Sequence, residues 1–145
     1  MANYLLDSNH ASPLVTMSHP LRSRFLEEHR RGHTFAINVP VLTETLFGLY
    51  ILRRAEENIV EWARLREAIH CYKVTEVDAE MAAAIRTVLS KKGWQLETAD
   101  ALIAATELRH KLILLTTDKD FNAVPDFKRE NGLVPFKNRS TNPKN

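Results

Sequence analysis

Short runs of wholly apolar residues recur along this chain, separated by stretches with helical periodicity, and few folds accommodate both. Leu112-Ile113-Leu114-Leu115 has no polar alternation, so as a strand it must be covered on both faces. Tyr4-Leu5-Leu6 and Phe35-Ala36-Ile37 read the same way, and Tyr72-Lys73-Val74 and Leu133-Val134 are expected as further strands. Helical spacing covers residues 20–31 through Leu21, Phe25 and Leu26, with Gly32 as the stop. Pro40 opens a helix reaching about residue 54, because its missing N–H costs nothing in a first turn. Residues 55–69 continue as helix, with Trp62, Leu65 and Ile69 on one stripe. Asp78 opens another, whose face is Met81, Ile85, Val88 and Leu89, ending near Gly93. Thr98 caps a last helix running to about residue 110. Strands alternating with helices predict a three-layer α/β/α sandwich with a mostly parallel central sheet.

The 145 residues suit one domain, expected over residues 1–136, with 137–145 a polar tail expected to be flexible. Against 18 acids stand 20 Lys and Arg, so a net charge of +2 does not announce a nucleic-acid binder. Lys128, Arg129, Lys137, Arg139 and Lys144 face only Glu130 and make the end of the chain locally basic, read as a solvated segment. Cys71 is the single cysteine, so no internal disulfide forms and a reducing compartment, the cytoplasm, is expected. No run reaches membrane-spanning length and the first residues lack a basic region followed by a long apolar stretch, so no membrane association is expected.

Four acids stand in informative places. Asp7 and Asp118 follow strands, and in open parallel sheets the ligand crevice lies outside the carboxyl ends of the strands. Glu44 lies near the start of the helix after the second strand, and Asp100 in a first turn, where a helix N-terminus alone tolerates negative charge. Singly, each reads as a cap or a solvated side chain. Together, carboxylates roughly 5 Å apart repel by about 3 kcal/mol per pair at an effective dielectric of about 20, so the set calls for cations or raised pKa values. Mg²⁺ or Mn²⁺ suits such hard oxygen ligands.

Four segments carry a resemblance to a known family: Leu5-Leu6-Asp7-Ser8-Asn9-His10, Leu42-Thr43-Glu44-Thr45-Leu46-Phe47-Gly48, Asp100-Ala101-Leu102-Ile103-Ala104-Ala105-Thr106 and Leu115-Thr116-Thr117-Asp118-Lys119-Asp120-Phe121. In order and content they resemble the motifs of PIN-domain ribonucleases, most closely the VapC type of toxin from toxin–antitoxin pairs. The resemblance implies catalytic acids at Asp7, Glu44, Asp100 and Asp118, with Asp7, Asp100 and Asp118 as the chief metal ligands. Ser8 and Thr116 match supporting polar positions, Ser8 standing where Thr is commoner. It further implies Mg²⁺- or Mn²⁺-dependent cleavage of an RNA substrate, an antitoxin protein as inhibitor, and a homodimer. Asp120, two residues past Asp118, is read as structural or as a support for the metal ligands.

Two other readings compete. An aspartate-nucleophile phosphatase also carries an Asp after its first strand, but wants a second acid two residues on, where this chain has Asn9. A catalytically silent nucleic-acid or partner-binding module on the same fold differs only in activity. His29 and His33 have the spacing of a helical metal pair, but Gly32 ends the helix between them; Cys71 beside His70 is no nucleophile–base pair, since neighbouring side chains point apart. In the helix after Pro40, Leu42, Leu46 and Leu49 form one stripe while Phe47, Tyr50 and Ile51 lie off it. Exposed, that surplus would form a groove with Trp62 and Leu65 for an antitoxin segment.

Overall fold

A computed structural model describes residues 1–125 and 128–132. Strands β1 (Asn3–Leu6), β2 (Thr34–Asn38), β3 (Ile69–Tyr72), β4 (Ile113–Leu115) and β5 (Arg129–Glu130) form one sheet in the order β3-β2-β1-β4-β5. Every pairing among them is parallel. Helices α1 (Ser8–Ala11), α2 (Pro20–Arg30), α3 (Val39–Ile51), α4 (Ala55–Arg66), α5 (Glu76–Lys91) and α6 (Thr98–His110) fill the connections. The chain steps outward from β1 to β2 to β3, then returns through α5 and α6 to lay β4 on the other side of β1. With right-handed crossovers, that reversal distributes helices to both faces, which gives the three-layer arrangement.

The reversal also makes the β1–β4 boundary the topological switch point, where the loops leaving the two strands diverge and open a crevice. Its floor is dry: Tyr4, Leu5 and Leu6 of β1 and all of β4 are buried, as apolar runs without alternation require. Ala101, Ala104 and Ala105 of α6 are fully buried, and α6 packs most extensively against α5.

Local chemistry sets several boundaries. Gly32 follows α2 at φ 94° and Gly93 follows α5 at φ 78°, the left-handed backbone that a side chain would strain. Asn38 is buried and caps α3, its Oδ1 accepting from Val41 N at 3.1 Å while its Nδ2 donates to Thr106 Oγ1 of α6 at 3.1 Å. Thr75 and Asp78 form a capping box at the start of α5, and Arg109 of α6 closes on Asp78 at 2.8 Å.

Several expectations need correction. Helix does not run unbroken to residue 69: Leu52 leaves the helical region at ψ 157°, α4 begins at Ala55, and Ile69 opens β3 opposite Phe35. The third strand therefore lies three residues earlier than Tyr72-Lys73-Val74 suggested, because at this sheet edge only Ile69 is fully buried and the strand carries little apolar signal. Asp78 is the third residue of α5 rather than its start, and Val88 is exposed. The residue before α6 is Glu97, and Thr98 uses its hydroxyl to accept from Arg86 Nη1 at 3.0 Å. Trp62 and Leu65 are core residues, 2% and 5% exposed, so they add nothing to a surface groove. Lys128 and Arg129 are exposed, as expected of a solvated segment, but their backbone is not a tail: Leu114 N donates to Lys128 O and Thr116 N to Glu130 O, which builds β5. Leu133-Val134 and residues 137–145 lie outside the described residues. No helix among the described residues is long and apolar enough to cross a membrane.

Candidate metal centre

Asp7 is the first residue past β1 and the cap of α1, with its amide held by Leu115 O at 3.0 Å. Although 4% exposed, its carboxylate is well partnered. Oδ1 accepts from Ser8 N at 2.7 Å, and Oδ2 from Thr116 Oγ1 at 2.7 Å and Asn9 Nδ2 at 3.2 Å. Thr116, just past β4, is a three-way junction: having donated to Asp7, its oxygen accepts from Asn9 Nδ2 at 3.3 Å and from Asp118 N at 2.9 Å. Asp118 in turn caps the following 3-10 turn through Asp120 N at 2.8 Å.

One carboxylate oxygen from each of Asp100, Asp118 and Asp120 lies within 4.8 Å of the others. Asp7 stands beside this tight group, joined to it through Thr116. Glu44 is exposed on α3 and is tied to Asp7's neighbour, its Oε2 accepting from Ser8 Oγ at 3.0 Å. Burial pushes the Asp100 carboxyl up to about 7, with Asp7, Asp118, Glu44 and Asp120 adding repulsion in that order. Burial also raises Asp7, against the pull of its hydrogen bonds from Thr116 and Ser8. All four expected acids and Asp120 thus share one negative field at the rim beyond β1 and β4. A donor set of hard carboxylate oxygens that repel one another fits a divalent cation such as Mg²⁺ or Mn²⁺.

A family model described as the PIN domain matches residues 4–126, most of the chain. The chain belongs to the PIN-domain family. No curated protein matches it in sequence. Among solved structures, this PIN domain is similar to VapBC2 from Rickettsia felis bound to a promoter DNA fragment, with TM-score 0.78 and 22% identity over 89% of this chain and 98% of that one. It is also similar to VapBC-5 of Mycobacterium tuberculosis, a member of the VapBC family of toxin–antitoxin systems, with TM-score 0.62 and 20% identity over 90% and 98% of the two chains. A third likeness is VapC20 of Mycobacterium tuberculosis, a sarcin-ricin loop cleaving toxin, at TM-score 0.62 and 16% identity over 84% and 95%. At these identities the three share its fold.

Two residues of the PIN-domain site had no separate signal in the sequence. Asn9 bridges Asp7 and Thr116 and also accepts from Thr117 N at 3.3 Å, so it knits the two loops of the crevice together. His10 is buried, and burial, then His19, lowers its pKa to about 4, against a hydrogen bond with Asn131. Its Nε2 accepts from Gly132 N at 2.8 Å, which leaves Nδ1–H to donate to Asn9 Oδ1 at 2.6 Å. A Cβ on Gly132 would lie 2.9 Å from both His10 Cδ2 and Leu21 Cδ2, so a glycine is needed for this approach. Asp120 was expected only in support, yet its carboxylate stands in the tight group itself.

Proposed function

We propose that this chain is a metal-dependent endoribonuclease and the toxin of a toxin–antitoxin pair. The observation that carries the reading is the convergence of Asp100, Asp118 and Asp120 within 4.8 Å, with Asp100 pushed up to about 7, at the switch point of a PIN domain. The similar structures, two VapBC proteins and a sarcin-ricin loop cleaving toxin, support it.

In this reading Asp7, Asp100 and Asp118 hold Mg²⁺ or Mn²⁺, with Asp120 alongside. Held there, the cation would supply Lewis-acid chemistry, lowering the pKa of a water and neutralising charge on the scissile phosphate. The protein does the rest. Thr116, Asn9 and the Ser8 amide fix the orientation of the Asp7 carboxylate. Asp100 gives up its proton to become a ligand, so occupancy of the site improves as pH rises toward about 7. Glu44, steadied by Ser8, orients the attacking water. Hydrolysis then needs no covalent enzyme intermediate, unlike the phosphatase alternative. In that alternative Asp7 would be a free nucleophile, whereas Oδ1 and Oδ2 of Asp7 together accept three hydrogen bonds.

Phe47, Tyr50, Ile51, Leu52 and Val60 are each more than half exposed and supply the apolar surface an antitoxin helix would cover. Expression of the chain in a bacterial host tests the whole reading. Growth should arrest and new RNA ends should appear, both absent with Asp118→Asn and both suppressed by co-expression of an antitoxin encoded beside this chain. Arrest that persists in Asp118→Asn, without new RNA ends, would sink it.

A further inference from the structure

A groove of about 610 Å³ lies along the end of α5, lined by Arg86, Thr87, Ser90, Lys91, Trp94 and Gln95 among others. It is tied to the acid group at two points. Trp94 Nε1 donates to the backbone carbonyl of Asp120 at 3.2 Å, and Arg86 Nη1 donates to Thr98 Oγ1, two residues before Asp100. Arg86 is further braced by its Nε bond to Leu96 O at 2.9 Å, so its guanidinium is held at two points. The lining combines an indole that is 38% exposed, an exposed ammonium, and hydroxyl and amide groups. That is the chemistry of a nucleotide: a flat ring to stack on, a cation for phosphate, and donors and acceptors for base or sugar. Ala83 and Leu96 complete the lining with apolar wall.

Electrostatics gives the groove a purpose. The acid group repels a polyanion, so a strand held with its scissile phosphate there needs cationic and stacking contacts close by. Resting on the nuclease reading above, we propose that single-stranded RNA flanking the scissile phosphate lies in this groove, with one base stacked on Trp94 and a phosphate on Lys91. The hydrogen bond from Trp94 to Asp120 sets the orientation of the indole, and the stacked base holds the adjoining phosphodiester at the acids.

Base stacking on an aromatic side chain is worth roughly 5- to 150-fold in affinity. In cleavage of a short single-stranded RNA with Mg²⁺, Trp94→Ala should raise KM by such a factor and leave kcat within about threefold, while Trp94→Phe stays close to the unaltered protein. Were Trp94 only a strut for Asp120, both variants would lose the Nε1–H bond and fall together, mainly in kcat; that result overturns the proposal. A second readout does not depend on these variants folding. The chain has two tryptophans and Trp62 is 2% exposed, so fluorescence quenching by RNA reports on Trp94. In the Asp100→Asn variant, saturable quenching by RNA is expected, and Lys91→Gln in that background should lower the salt slope by about 0.7. RNA binding seen by anisotropy without quenching overturns the groove. If the unaltered protein cuts no RNA with Mg²⁺ or Mn²⁺, the nuclease reading itself fails; if it cuts RNA while Trp94→Ala keeps its KM, only the groove fails.

Discussion

Replacing Asp100 by Asn removes a charge from a group whose members already repel one another. Below about pH 4 the Asp100 carboxyl is protonated in folded and unfolded chains alike, and its titration costs no stability. Between there and about 7 the unfolded chain ionises first, so the metal-free protein loses stability as pH rises through that window. Asp100→Asn should therefore raise the melting temperature at pH 8 without metal and leave it nearly unchanged at pH 4, a pair of thermal scans that an unshifted carboxyl would make identical. Thr116→Val tests the junction: it strips Asp7 of a hydrogen bond and leaves Asp118 N without its acceptor. We expect a loss of about 1–3 kcal/mol in stability and at least about tenfold in cleavage rate, with Thr116→Ser restoring both. Asp7, Asp100 and Asp118 could be placed from sequence because a carboxylate just past an apolar run, or in a first turn, carries its position with it, whereas Glu44, the sixth residue of α3, had only its nearness to the helix start and the family motif. Asn9 could not, because its partner Thr116 is 107 residues away, nor could His10, whose partner Gly132 is 122 residues away.

Strands buried on both faces announced themselves, and elements at the sheet's margins did not. β1, β2 and β4 lie inside the sheet, and apart from Asn38 at the end of β2 their buried residues are apolar or aromatic, so their positions followed from the apolar runs. β3 and β5 sit at its two sides, where half-exposed strands tolerate His70, Arg129 and Glu130, and backbone pairing to β2 and β4 decides their place. The break between α3 and α4 was likewise hidden, since no glycine or proline marks Leu52. Asn38 joins these elements to the site, pinning α3, which bears Glu44, to α6, which bears Asp100. Asn38→Ala removes a cap and leaves Thr106 without its buried donor. It should lower stability by about 2–3 kcal/mol in denaturant melts, and a change below about 0.5 kcal/mol would show that the two helices are held by packing alone.

Across the whole molecule, the proposed reading asks for local rather than net basic charge, and Arg86 and Lys91 supply it at the Trp94 groove, so a net charge of +2 does not stand against a polyanionic substrate. On α3, Phe47 and Tyr50 are 65% and 61% exposed. Cutting either to Ala should leave melting temperature and cleavage unchanged while weakening antitoxin binding about 30- to 1,000-fold, measured by titration of the purified partner. Full neutralisation of both variants would move the antitoxin elsewhere and leave this face to a second copy of the chain, which sedimentation of the isolated protein would detect. A metal-dependent site for RNA cleavage at the acid rim makes a direct demand on the purified protein. Purified protein is therefore incubated with end-labelled RNA, with Mg²⁺ or Mn²⁺ and with EDTA, beside Asp7→Asn and Asp100→Asn. Cleavage should need the cation, stop with EDTA and fall at least about 100-fold in both variants. Cleavage that survives EDTA, or full activity in both variants, would contradict it.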